Sequence, residues 1–160
     1  MELNVKFRKL FATLIVVSFI ALITGCTTLP SAETMKSEVA NFQLPKLPDD
    51  NKGLVYVVRP SSLGGFVKFN VFIDNQEDAS EVGHTRGTEF IYFSISPGSR
   101  TIYSKAENWA EAKIVVQPGD IIFLQQDASM GIIMARNSIY KIDADQGKYL
   151  VKTLTLGTIK

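Results

Sequence analysis

Leu54-Val55-Tyr56-Val57-Val58-Arg59 runs without a polar residue until its last position, and Pro60-Ser61-Ser62-Leu63-Gly64-Gly65 follows at once. A run this short, rich in β-branched and aromatic side chains, predicts a strand covered by protein on both faces. The proline and glycines end it. The chain beyond repeats the unit. Residues 68–74 alternate, with Phe69, Val71 and Ile73 on one face and Lys68, Asn70 and Asp74 on the other, where Phe72 joins them. Val82 lies in a weak edge strand before Gly83-His84-Thr85-Arg86-Gly87. Residues 89–95 place Ile91, Phe93 and Ile95 on one side. Residues 100–106 follow the turn Ser96-Pro97-Gly98-Ser99, and 110–116 align Ala112, Ile114 and Val116. Gln117-Pro118-Gly119-Asp120 repeats the turn chemistry before the buried run Ile121–Leu124, and Ile132-Ile133-Met134-Ala135 completes the series. Seven to eight short strands at about 10-residue spacing predict a mostly β fold, an antiparallel sandwich or barrel, of which the β-sandwich is the expected form.

The last segment has a different period. Asp143-Ala144-Asp145-Gln146 supplies capping residues, and Ile142, Gln146, Tyr149, Leu150 and Leu154 recur at helical spacing. Gly147 weakens this C-terminal helix by about 1 kcal/mol relative to alanine. The helix is expected to pack on one sheet, which accounts for strands apolar on both faces.

Residues 1–25 have another chemistry. Lys6, Arg8 and Lys9 precede the uncharged run 10–23. A basic start and a short apolar run are the secretory signal pattern, and the run is short of the ~20 residues a spanning helix needs. It ends in Leu22-Ile23-Thr24-Gly25-Cys26, which resembles a bacterial lipobox. The resemblance implies cleavage between Gly25 and Cys26, with Cys26 carrying a diacylglyceryl thioether and an acylated amine. The alternative is an uncleaved anchor helix with an incidental cysteine. Thr27, where an aspartate would retain the protein in the inner membrane, implies the outer membrane, periplasmic face, with the inner membrane as the alternative. Residues 26–50, punctuated by Pro30, Pro45 and Pro48, read as a lipidated cysteine and tether. Ala32, Met35, Val39 and Phe42 there predict a short helix that docks on the β domain, residues 51–160.

The chain has 160 residues, one cysteine and a net charge of +1, which becomes −1 once residues 1–25 are removed. A single cysteine excludes an intramolecular disulfide framework and CxxC metal or redox sites. Near-neutral charge gives no electrostatic case for nucleic acid.

Several stretches carry a family resemblance: Gly53–Pro60, Val71-Phe72-Ile73-Asp74, Phe90–Gly98, Gln117-Pro118-Gly119-Asp120, and Gln125-Gln126-Asp127-Ala128-Ser129-Met130-Gly131 continuing to Ala135-Arg136. Together they resemble the lipoproteins grouped as domain of unknown function 2846, over about residues 31–157. The chain departs from that pattern at Asp74-Asn75-Gln76 and carries extra residues near Glu77–Ser80. The resemblance implies a lipid-anchored β domain with no established activity. The plan is also similar to transthyretin-like, Ig-like and PEGA-type modules, which bind or space.

Residues that could carry chemistry are few. His84, the single histidine, sits in a Gly-flanked stretch and reads as a solvated turn residue, with a lone ligand or a pH-sensitive contact as the functional alternative. Asp74, Glu77, Asp78 and Glu81 cluster at a hairpin tip and read as a solvated face or a weak calcium contact rather than a paired-carboxylate acid–base site. Without a second histidine or a free cysteine after residue 26, no Cys/His or His-based triad can form. There is no P-loop and no GxGxxG. Arg59 and Arg136, at strand ends, are candidate anion or partner contacts. The structural alternative has each paired with a carboxylate such as Asp127 or Asp143. Trp109 is an interface anchor or a core residue. Met130-Gly131-Ile132-Ile133-Met134 is core, or a partner-binding surface on an edge strand.

The expectation is a non-enzymatic lipoprotein with an interaction or structural β domain. Its partners would be the membrane, through the lipid on Cys26, and an envelope protein, with no metal or other cofactor and no nucleic acid. The alternatives are a small-ligand carrier or enzyme with a site between sheet and helix, and an accessory lipoprotein of an envelope or secretion assembly.

Overall fold

The computed structural model describes residues 29–160. Leu22, Ile23, Thr24, Gly25 and Cys26 lie outside the described residues. Ser31–Lys160 form one compact unit holding ten strands and two hydrophobic cores. Residues 31–50, expected as a tether with a short helix, belong to this unit. Helix α1 (Ala32–Val39) is N-capped by the Ser31 hydroxyl, which accepts from the Thr34 backbone N–H, and buries Met35 and Val39.

Two sheets carry the fold. β1 (Gly53–Arg59), β4 (Glu89–Ile95), β7 (Ile121–Met130), β8 (Ala135–Ile142) and β9 (Thr155–Leu156) form the first, in the order β8-β7-β1-β4-β9. β2 (Phe69–Ile73), β3 (Glu81–Thr85), β5 (Gly98–Lys105), β6 (Trp109–Val116) and β10 (Thr158–Ile159) form the second, in the order β10-β3-β2-β5-β6. The sandwich is therefore larger than seven to eight strands, because two-residue strands after helix α2 (Ala144–Thr153) add to one edge of each sheet. β10 covers β3, which is thus interior rather than an edge strand. The second sheet is wholly antiparallel. The first has parallel pairs, β1 with β7 and β4 with β9.

β1 is buried throughout, and the period-2 pleat splits it between the two cores. Val55 and Val57 point between the sheets, against Val71, Ile91, Ile102 and Leu124. Leu54, Tyr56 and Val58 point the other way, against Phe90, Phe123 and the α2 residues Leu150 and Val151. Helix α2, capped by the Asp143 carboxylate accepting from the Asp145 backbone N–H, covers that outer face. A β-carbon on Gly147 would lie 2.2 Å from the Phe123 ring, so glycine is what lets the helix settle on the sheet. The Pro118-Gly119 turn places Gly119 at φ +85, the left-handed position a type II turn requires.

The meander gives the sandwich two unlike ends. The loops after β1, β3, β5 and β7 meet at one end, where Arg59 is level with Glu89. The turns after β2, β4, β6 and β8 lie at the other, where Phe123 pairs with Ile142 and Gly53 with Ile95. Helix α1 begins beside Asp143 and Asp145, so the chain enters the unit at this second end.

Candidate functional site

The first end is built from four loops, and one buried cation organises the longest of them. Arg59 closes β1 and is fully buried. Its Nη1 donates to the Val67 carbonyl at 2.7 Å, and its Nη2 to the Leu63 and Gly64 carbonyls at 2.9 Å each. Its guanidinium carbon stands 3.6 Å over the Phe69 ring. Burial pushes the group down to about 10, which leaves it charged at neutral pH. Neither the expected carboxylate pairing nor an open anion contact is present. Arg59 is a structural clamp on the loop 60–68. The expected carboxylates are engaged elsewhere: Asp127 accepts from Tyr140 Oη and Gln125 Nε2, both at 2.7 Å, and Asp143 caps α2.

The loop after β7 is held by a carboxylate from the loop after β5. Glu107 Oε1 accepts from the Ile132 backbone N–H at 2.9 Å, and Oε2 accepts from those of Ile133 at 2.9 Å and Met134 at 2.7 Å. The three amides, led by that of Ile132, hold the Glu107 carboxyl below the usual glutamate range, with Arg136 adding to the effect. A β-carbon on Gly131 would lie 2.0 Å from the Met134 carbonyl oxygen, so glycine is required for this tight loop. Next to it, Asn108 and Asn137 are joined by four bonds: Asn108 Nδ2 donates to the Asn137 carbonyl, the Asn137 backbone N–H to Asn108 Oδ1, and Asn137 Nδ2 to both the carbonyl and Oδ1 of Asn108.

Ile132-Ile133-Met134 is therefore a loop, not the strand the apolar run predicted, and β8 starts at Ala135. Nor is the run core: Ile132 is 90% exposed, Ile133 88% and Met130 85%. Phe66, on the loop clamped by Arg59, is 98% exposed. Phe66, Val67 and Met134 line one shallow groove of about 430 Å³ together with Lys68, Asn70 and Lys105. Sequence reasoning did not single out Phe66, Lys68, Lys105 or Glu107. A phenylalanine between Gly65 and Val67 reads as one more apolar residue, and only the three-dimensional placement sets it beside Met134.

Of the other candidates, Arg136 is exposed at the start of β8, close to Glu107. Trp109 is 36% exposed at the start of β6, against Phe72 at 5.2 Å and Tyr103 at 6.4 Å between ring centroids. Lys105 stands 5.1 Å over its ring. It is neither fully core nor a free anchor. His84 is buried in β3, not in a solvated turn, with its register partners Asn70 and Thr158 on either side. Burial lowers its pKa first, and Lys68 and Arg86 lower it further. The acidic hairpin cluster is divided between partners. Asp74 pairs with Arg100 at 2.8 Å, while Glu81 accepts from Asn70 Nδ2 at 2.7 Å and pairs with Lys160. Among the described residues, no three His, Cys, Asp or Glu side chains are grouped to hold a metal ion.

Gln126, inside the motif that carried the resemblance, bridges the sheets. Its Oε1 accepts from Thr85 Oγ1 at 2.6 Å, and its Nε2 donates to Ser104 Oγ at 2.7 Å. Thr85 Oγ1, both amide atoms of Gln126 and Ser104 Oγ are thus joined by hydrogen bonds, as a low-dielectric interior requires.

A family model described as protein of unknown function (DUF2846) matches residues 49–139. The match spans β1 through most of β8, including Arg59, Glu107 and Gly131. No curated protein matched the chain.

Proposed function

The chain belongs to the family of proteins of unknown function DUF2846, and we propose that it is a lipoprotein anchored through Cys26, whose β domain is a non-enzymatic interaction module of the bacterial envelope. What supports the anchor is Leu22-Ile23-Thr24-Gly25-Cys26 after a basic, then apolar, segment. What supports an interaction module is the loop end. Phe66, Met130, Ile132 and Ile133 stand almost wholly exposed there, and a folded domain does not leave such a cluster in water without a use. The loops bearing them are clamped from inside by Arg59 and Glu107, so the surface is presented in a fixed shape. Thr27 favours the outer membrane, periplasmic face. The partner at the loop end would be an envelope component.

Two experiments test the reading. Cys26→Ser is expected to stop processing and release the protein from the membrane fraction. Continued processing and membrane retention would overturn the anchor. Crosslinking in intact cells from a photoreactive residue at position 133 is expected to trap an envelope component that position 113, on exposed β6, does not. Equal yields from the two positions would overturn the loop end as the interaction surface.

A further inference from the structure

We propose that the loop end carrying Phe66, Ile132 and Ile133 docks on an anionic lipid bilayer, with the phosphate of a lipid headgroup over Lys68 and Lys105. This rests on the reading of that end as the interaction surface and names what it meets.

The first observation is shape. Ile132 and Ile133 project from a hairpin loop and Phe66 from its neighbour, each with little protein around it. A preformed protein partner needs a complementary pocket for each such side chain, whereas the interfacial region of a bilayer closes around any of them.

The second observation is the state of the backbone. A loop entering an apolar phase carries its peptide groups with it, and an unpaired amide there is costly. The amides of Ile132, Ile133 and Met134 are already paired by Glu107, from within the protein. The same carboxylate is thereby turned into the loop, where its charge is shared among three donors.

The third observation is charge. Lys68 and Lys105 line one groove with Phe66 and Met134, and Arg136 stands exposed beside the same loop. Arg86 lies on the neighbouring loop after β3. The opposite end carries Asp74, Glu77, Asp78, Asp120, Asp143 and Asp145. Cations also stand at that far end, Lys52, Arg100 on Asp74 and Lys141, while at the loop end Lys68, Arg86, Lys105 and Arg136 outnumber the acids Glu89 and Glu107, the second of which is engaged by backbone amides. Cations beside an apolar tip are the arrangement that an anionic leaflet attracts and then admits.

The test uses purified Ser31–Lys160, the unit that contains both cores and all ten strands and lacks Cys26. It is mixed with vesicles of phosphatidylglycerol and phosphatidylcholine in equal parts, or of phosphatidylcholine alone, and sedimented. Binding to the anionic vesicles only is expected, with brominated acyl chains quenching Trp109, the one tryptophan, at the same end of the sandwich. Ile132→Asp/Ile133→Asp is expected to abolish binding. Lys68→Glu/Lys105→Glu is expected to weaken it by about tenfold or more. Glu77→Lys/Asp78→Lys, at the far end, is expected to leave Trp109 unquenched beyond the wild-type level. Circular dichroism melts check that each variant, altered only at exposed positions, remains folded. Absence of wild-type binding to anionic vesicles, or binding that survives Ile132→Asp/Ile133→Asp, would overturn the proposal. If vesicles are ignored while position 133 still crosslinks to an envelope protein, the lipid assignment fails and the interaction surface stands.

Discussion

The carboxylate of Glu107 lies 2.7 Å from the backbone nitrogen of Met134, a residue 27 positions further along the chain. With its bonds to Ile132 and Ile133, it replaces the water those amides would otherwise need. Glu107→Gln keeps the side chain's size but substitutes a donor for one acceptor oxygen and removes the charge. The expected outcome is faster hydrogen exchange at the amides of Ile132, Ile133 and Met134, with the global melting temperature nearly unchanged. Acid should have the same effect. The folded pKa is lowered below the ordinary glutamate value of 4.5, so the loop's stabilisation is complete above that value. It is lost as pH falls through the lowered one. Exchange that is insensitive to both changes would show that the loop is ordered by other contacts.

Arg59 offers a larger effect. Truncation to alanine removes a buried cation and leaves the carbonyls of Leu63, Gly64 and Val67 without their donor. The expected loss in chemical denaturation is about 1–3 kcal/mol, the range for leaving buried polar groups unsatisfied, since no charge is left behind. Arg59→Lys should recover only part of it, because an ammonium lacks the planar fork that reaches three carbonyls while lying flat on Phe69. Full recovery with lysine would mean that charge, not fork geometry, holds the loop.

These two clamps mark the boundary of what sequence could reveal. The unbroken run Leu54–Val58 disclosed a strand buried on both faces and therefore a covering helix, because burial on each side leaves a direct imprint on composition. Pairing leaves no such imprint. The parallel alignment of Leu54 with Ile121 depends on the whole meander, and β9 and β10 are too short for any periodicity. Apolar content was misleading at Ile132-Ile133-Met134, where the side chains face outward and the ordering force comes from Glu107, 25 or more residues away. The same holds at Arg59, whose partners are carbonyls, which every sequence contains and none advertises. His84 was misread because Gly83 and Gly87 suggested a turn, while β10, which buries the stretch, arrives from the chain's last residues.

His84 provides a pH test. Burial, with Lys68 and Arg86, holds its pKa below the ordinary 6.5, against a smaller opposing pull from Glu81 and Glu89. The unfolded chain then binds a proton that the folded one refuses. Stability is full above pH 6.5 and falls as pH drops toward the lowered folded value. His84→Gln should flatten stability between pH 7 and 5, and the imidazole resonances should titrate below 6.5. A titration at or above 6.5 would remove the basis for this slope.

Gly147 sets propensity against packing. In an exposed helix, Gly→Ala would stabilise by about 1 kcal/mol. Here the added methyl would stand 2.2 Å from the Phe123 ring carbon, and Phe123 is itself buried and stacked on Tyr56 at 5.4 Å between centroids. The ring cannot retreat without disturbing Leu54, Tyr56 and Leu150 in the same core. Overpacking of this kind costs about 1–3 kcal/mol, enough to offset the propensity gain. Gly147→Ala is therefore expected to lower the denaturation midpoint, and Gly147→Ala combined with Phe123→Leu to recover part of the loss. A stabilised single variant would show that α2 can shift along the sheet, and that its seating on Phe123 is looser than the packing implies.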